Sequence, residues 1–240
     1  MTQHILWFQR RSFLQAAAAW TAMGGFGAAQ AQRRSNIVEL RGDVLLNGGR
    51  MNPQHTIQTG DTVETGPGSH LVFVIGNTAF QVRQNSRLTV ERGATLNSVG
   101  VLRLLTGAVA SVWGRGTSRQ IVTPTLTAGI RGTGVYTEVF SQQNFRSYFC
   151  NCYGEVNLGA GTDRTVSRAD YHQSFWAEPE ARDGRFLTPA RAINHTDEEL
   201  EYLAKLVNQR TAWQIAGKKG AFDGSGYIDP LPVHALSSTK

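Results

Sequence analysis

Residues 71–83 read Leu71-Val72-Phe73-Val74-Ile75-Gly76-Asn77-Thr78-Ala79-Phe80-Gln81-Val82-Arg83. Leu71, Phe73 and Ile75 alternate with Val72 and Val74, and Gly76-Asn77 breaks the run. From Ala79 to Arg83 apolar and polar residues alternate again. This is the period of two, in strand-length pieces bounded by turn formers, that an extended chain requires when successive side chains point to opposite faces. Working outward, the pattern repeats. Leu88 and Val90 lead to Gly93, Val101 to Leu105 end at Thr106-Gly107, and Val109 to Trp113 end at Gly114. No segment between about Ile37 and Leu158 carries the spacing of an amphipathic helix. Without intervening helices the sheet cannot be assembled from βαβ units. The expected fold is mainly β, a roll, a sandwich-like domain or a short β-solenoid.

After Leu158 the chain becomes polar and loses periodicity. Residues 159–195 include Phe175, Trp176, Pro179 and Pro189, and are expected to wrap the β domain. Thr196-Asp197-Glu198-Glu199 then has the form of a capping box, with Thr at the cap and Glu three residues on. Leu200, Leu203, Ala204 and Val207 follow at helical spacing, and Gly217 is a stop signal. One C-terminal helix is expected from about Asp197 to Ile215. Residues 218–240, with two prolines and a Ser-Ser-Thr ending, read as a poorly ordered tail.

The N-terminus reads differently from everything after it. Arg10 and Arg11 precede Phe13-Leu14, an Ala-rich stretch without charge runs from Ala16 to Ala29, and Ala29-Gln30-Ala31 places small residues two apart. These are the parts of a bacterial export signal of twin-arginine type, which puts the start of the mature chain near Gln32 and its destination in the periplasm. The expected partner of residues 1–31 is the twin-arginine export machinery, which carries folded proteins. The Ala- and Gly-rich stretch is weakly apolar for a membrane span, and no other approaches the required length of about 20 residues. The mature chain is therefore expected to have no transmembrane span.

The chain holds 24 Lys+Arg against 18 Asp+Glu. Only Lys205, Lys218, Lys219 and Lys240 are lysines, and the arginines are scattered singly, whereas a nucleic-acid binder gathers its base on a stripe. Nucleic acid is excluded as a partner on this ground and on that of export. No Ser-His-Asp order is readable, and Gly129-Ile130-Arg131-Gly132-Thr133-Gly134 lacks the Lys-Ser/Thr and the helix of a phosphate loop. No catalytic constellation is found, and the chain is read as a non-enzyme.

Two cysteines remain, Cys150 and Cys152 in Cys150-Asn151-Cys152. On a strand, residues two apart share a face. Two thiols side by side suit a shared metal, with about 2.3 Å from sulfur to zinc. They suit a disulfide less well, because α-carbons two apart on an extended strand lie near the upper limit of about 6.8 Å for a bridge. Two buried free thiols are the third reading. In an oxidising compartment, thiols outside any disulfide framework need protection, and a metal loaded before folded export supplies it. His172 and His195 lie in the segment expected to fold back on the β domain and are the candidate further ligands. Zinc, copper and iron all suit two thiols with imidazole, and the sequence does not choose among them.

Residues 37–158 resemble a FecR domain. The resemblance is carried by Arg41-Gly42-Asp43-Val44-Leu45-Leu46-Asn47-Gly48, by Ile57-Gln58-Thr59-Gly60-Asp61-Thr62-Val63-Glu64-Thr65-Gly66, by Gly107-Ala108-Val109 and Val122-Thr123-Pro124, and by Ile130-Arg131-Gly132-Thr133-Gly134-Val135. It implies a periplasmic β-rich roll or solenoid without a catalytic centre. Signalling members of that family join a cytoplasmic region, a membrane span and a periplasmic domain. Without the first two, the anti-sigma role does not carry over. What remains is an exported binding or scaffold module for an unknown envelope protein or polymer. The alternative is a metal-binding exported protein, redox-active if the metal is copper or iron, that uses the Cys150-Asn151-Cys152 pair with histidine. The tail, through Tyr171-His172 and Asn194-His195-Thr196-Asp197, also resembles that of a group of exported FecR-domain proteins.

Overall fold

A computed structural model of the chain describes residues 35–95, 98–116 and 119–217, and the strand pair Ala221–Phe222 and Tyr227–Ile228. The export-signal reading of residues 1–31 lies outside the described residues, as does most of the expected tail.

The molecule is built on two sheets and a helical cap. In the first, the capped sheet, the strands run β1 (Ile37–Arg41), β5 (His70–Ile75), β6 (Thr78–Val82), β8 (Val99–Trp113), β11 (Gly134–Phe140), β12 (Arg146–Ala160), β14 (Gln173–Arg182) and β15 (Arg185–Ala190). In the second, the open sheet, they run β3 (Gly49–Arg50), β2 (Val44–Leu46), β4 (Thr62–Thr65), β7 (Arg87–Arg92), β8, β9 (Arg119–Val122), β10 (Thr127–Ile130), β12 and β13 (Asp163–Ala169). All pairings are antiparallel except β8 with β9. The architecture is the mainly β one expected, in its sandwich-like form.

β8 and β12 belong to both sheets. Residues 99–106 of β8 pair in the open sheet and 107–113 in the capped one. β12 pairs in the capped sheet up to Tyr153 and in the open sheet from Gly154. Each long strand changes sheet at a glycine of positive φ, Gly107 (φ 78°) and Gly154 (φ 102°). A Cβ on Gly107 would lie 2.2 Å from Ser86 Oγ, and one on Gly154 would lie 2.7 Å from Thr133 Cβ. The chain can bend there only without a side chain.

Between the sheets lies the inner core. Leu71, Phe73, Phe80, Val82, Val109 and Trp113 of the capped sheet meet Leu88, Val90, Leu102, Leu104 and Ile121 of the open one. Phe80 stacks on Phe73 at 4.9 Å and meets Trp113 edge-on at 5.3 Å. A second core covers the other face of the capped sheet. There Val72, Ala79, Ala108, Ala110 and Val112 pack under Leu200, Leu203, Ala204 and Trp213 of the cap. β5 is buried on both faces, which is why residues 71–75 carry no polar position.

Two boundaries differ from the sequence expectation. Residues 163–190, expected as an aperiodic wrap, form three strands that extend the sheets from β12. They lie at sheet margins, where one side faces water, so their apolar signal is weak. The expected single helix is two, α1 (Asp197–Leu206) and α2 (Ala212–Ala216). Asn208 adopts a left-handed φ of 55°. Thr211 and Gln214 then form a second capping box that starts the chain helical again. The Thr196/Glu199 capping box and the Gly217 stop stand where the sequence places them. Among the described residues no helix is long and apolar enough to cross a membrane.

Candidate metal centre

β12 directs Tyr148, Cys150 and Cys152 toward the cap and Phe149 toward the inner core. Its register with β11 slips between Gly134, which faces Tyr153, and Val135, which faces Asn151, leaving Cys152 as an extra residue opposite neither. The Tyr153 ring lies so close to Gly134 that a Cβ there would sit 2.3 Å from it. The bulge thus puts Cys152 and Tyr153 together in the second core.

The turn between β13 and β14 delivers His172, whose backbone N–H donates to Cys152 O at 3.0 Å. His195 comes from the link between β15 and α1. Asn194, just before it, holds a left-handed φ of 59° and donates from its amide to Glu138 Oε2 at 2.9 Å. Asn tolerates that conformation better than most residues, and the reversal turns the next side chain under the cap.

Cys150, Cys152, His172 and His195 are all buried, and their ligating atoms lie within 4.8 Å of one another. The separations are 3.7 Å between the sulfurs, 3.3 Å from Cys150 Sγ to His172 Nδ1, 3.5 Å from Cys152 Sγ to His195 Nε2, and 3.1 Å between His172 Nδ1 and His195 Nε2. Zinc bond lengths in a tetrahedron imply edges of about 3.8 Å between sulfurs, about 3.5 Å from sulfur to nitrogen and about 3.3 Å between nitrogens. Four of the six separations are therefore close to the edges of a tetrahedron of metal-ligand size, and the other two lie within 4.8 Å.

Both imidazoles are oriented from behind. His172 Nε2 donates to Asp197 Oδ1 at 2.7 Å, and Tyr171 Oη donates to the other carboxylate oxygen at 3.1 Å. His195 Nδ1 donates to Ile193 O at 2.7 Å, since a carbonyl only accepts. These are the outer partners that fix the tautomer of a metal-bound histidine. With them in place, Nδ1 of His172 and Nε2 of His195 face each other with their lone pairs. At 3.1 Å such a pair repels unless a proton or a cation lies between. Aromatic rings complete the walls: His195 stacks on Tyr136 at 4.7 Å, and His172 lies over Trp213 at 5.4 Å.

The protons available do not fill the site evenly. Burial pushes the Cys150 thiol up, but its hydrogen bond with Cys152 and the His195 and His172 rings outweigh this and hold it well below the ordinary thiol value. Burial and the neighbouring Cys150 raise Cys152. Burial lowers His172, yet the Cys150 thiolate and Asp197 overcome it, and its pKa is pushed up to about 9. The arrangement favours a thiolate beside a cation, which is the charge pattern a bound metal ion satisfies.

The four residues singled out in the sequence thus meet in one place. Three partners were not singled out there: Asp197, which the sequence places only in the helix-start segment, and Tyr136 and Trp213. An Asp at the first position of a helix, two residues after His195, is the signal that was present. Among the described residues His55 and His70 stand apart from the cluster, His70 pairing with Glu39 at 3.4 Å; His4 and His234 lie outside the described residues.

No protein-family model and no curated protein matches the chain. Two solved structures match it. Both are described as a "putative anti-sigma factor" from Parabacteroides distasonis ATCC 8503. One is 10% identical over 60% of this chain and 70% of its own, with a TM-score of 0.46. The other is 9% identical over 70% and 82%, with a TM-score of 0.45.

Proposed function

We propose that this chain is an exported metal-binding protein, a FecR-like β domain that holds one zinc ion through Cys150, Cys152, His172 and His195. The observation that carries this reading is the 3.1 Å approach of His172 Nδ1 to His195 Nε2 beside two sulfurs 3.7 Å apart. Two thiolates offset the charge of a divalent ion, so the four ligands and the ion are together neutral, and the Asp197 carboxylate behind them is held by hydrogen bonds from His172 and Tyr171. The compact spacing favours one ion over a two-metal centre, whose ligands would separate into distant pairs. Zinc fits a closed tetrahedron of two thiolates and two imidazoles, whereas copper and iron would bring redox chemistry. Four protein ligands leave no position for substrate, so the metal is structural and the protein non-catalytic.

The FecR-like reading rests on the Gly-Asp, Thr-Gly and Arg-Gly-Thr-Gly segments quoted above. Export rests on residues 1–31, and a folded export route lets the thiols take up metal in a reducing compartment before they reach the periplasm. A binding role is favoured by a trough of about 750 Å³ on the open sheet, lined by Gln120, Thr127, Asn157 and Arg164 among others. Its floor of polar side chains, with the Arg164 guanidinium at one side, suits an envelope polymer or an extended protein segment.

Elemental analysis of the full chain, produced with its own N-terminus and purified without chelators, tests the metal. The expected result is about one zinc per chain, absent from the Cys150→Ser/Cys152→Ser double variant. A folded wild-type protein that carries no metal and takes up none on titration overturns the reading.

A further inference from the structure

The cap, residues 191–217, has few means of holding to the sheet beneath it. The sheet surface it covers is shallow, with Ala79, Ala108 and Ala110 between Val72 and Val112. Alanines bury little apolar area, and the hydrophobic contribution scales with area. Leu200, Leu203, Ala204 and Trp213 are buried on this surface, Ile193, Tyr202, Leu206, Val207 and Ala212 pack there in part, and directional bonds add to the hold. Glu199 takes Arg83 at 2.7 and 2.8 Å and Gln81 at 2.9 Å; Tyr202 donates to Glu39 at 2.7 Å; and Tyr148 Oη joins Arg191 O and Ile193 N.

A further tie is the four-residue site, and its ligands are divided among parts of the chain. The sheet supplies Cys150 and Cys152, the β13–β14 turn supplies His172, and the cap supplies His195 together with Asp197, the residue that orients His172. Asp197 is fully buried, and His172 and His195 are each 2% exposed. When the cap is docked, a carboxylate, two imidazoles and two sulfurs are shut away from water. A metal satisfies them. Without it the sulfurs and the facing ring nitrogens are left to one another, and lifting the cap would return Asp197 and His195 to solvent. Metal loss therefore penalises the docked state and leaves the lifted state untouched. The inner core shares none of these groups.

We infer that the ion acts as a clasp: its occupancy sets whether residues 191–217 stay docked, and its removal uncovers the face formed by Val72, Ala79, Ala108, Ala110 and Val112. This rests on the metal reading above and adds to it a specific mechanical consequence.

Hydrogen exchange read by mass spectrometry on the full chain tests it. Zinc-loaded protein is compared with protein stripped by a chelator under reducing conditions, with metal content measured on both samples. Exchange in residues 197–216 is expected to accelerate by about tenfold or more on stripping, while β5 and β6 change by less than about twofold. Returning zinc is expected to restore protection. Trp213 emission, from a ring 3% exposed in the docked cap, is expected to shift to the red in step. Equal protection of the cap in loaded and stripped protein overturns the clasp and leaves the metal reading standing. Equal loosening of the cap, β5 and β6 also overturns it, since the ion would then support the whole fold. Protein that never carries metal removes the metal reading, and the clasp with it.

Discussion

The two faces of the capped sheet solve the same problem in different ways. Between the sheets, Phe73, Phe80 and Trp113 interlock with Leu88, Leu102, Leu104 and Ile121, and apolar area closes most of the core. Under the cap the sheet offers alanines and cysteines, and the space is closed by tyrosines, a buried Asp–His pair and a Cys₂His₂ cluster. A sheet face meeting another sheet presents two broad surfaces and needs no directional bonds. A face meeting a ten-residue helix and a five-residue helix presents a narrow contact, and directional bonds make up the difference. The first core carries stability and the second carries the chemistry.

That division can be broken by substitution on either side. The largest effect is expected from Phe80→Ala in the inner core, about 3–5 kcal/mol by urea unfolding, with the zinc content of the remaining folded protein unchanged. A fall in metal affinity parallel to the fall in stability would show that the two cores are one unit. Next comes Asp197→Asn, which keeps the shape but weakens the acceptor behind His172 Nε2. Metal affinity is expected to fall by about 10–100-fold in a chelator competition titration, while inner-core stability holds; a change under about twofold would leave Asp197 with a packing role only. The smallest effect sharpens the comparison within the cap. Arg83→Gln removes an ion pair to Glu199 whose side chains are 32% and 23% exposed. Partly exposed, solvent-screened pairs contribute about 1 kcal/mol or less, so cap protection should loosen slightly with the metal retained. A loss as large as that of Asp197→Asn would move the main tie of the cap from the Cys₂His₂ cluster to the Arg83–Glu199 pair.

How much of this was legible before the structure depends on which residues face what. Leu71–Val82 declared itself because its apolar residues occur at strand spacing, and the start of α1 because Thr196 and Glu199 satisfy local backbone donors. The strands from Asp163 to Ala190 did not, because at a sheet margin residues such as Arg164 and Val166 face water without penalty. The end of α1 was misplaced because Val207 continues the apolar spacing although Asn208 turns the chain left-handed. Cys150 and Cys152 were legible as a pair, since strand geometry sets residues two apart on one face. That His172 and His195 complete their tetrahedron, and that Asp197 stands behind, was not.

The sequence by itself determined the β class, the pairing of the two sulfurs on one face and the point where the cap turns helical, because each depends on neighbours within a few residues. Only the tertiary structure decided that β8 and β12 pass from sheet to sheet at Gly107 and Gly154. The same holds for the meeting of Cys152 with His195, 43 residues later, at 3.5 Å. Such a contact is set by the register of strands and the docking of a cap, and no local preference encodes it.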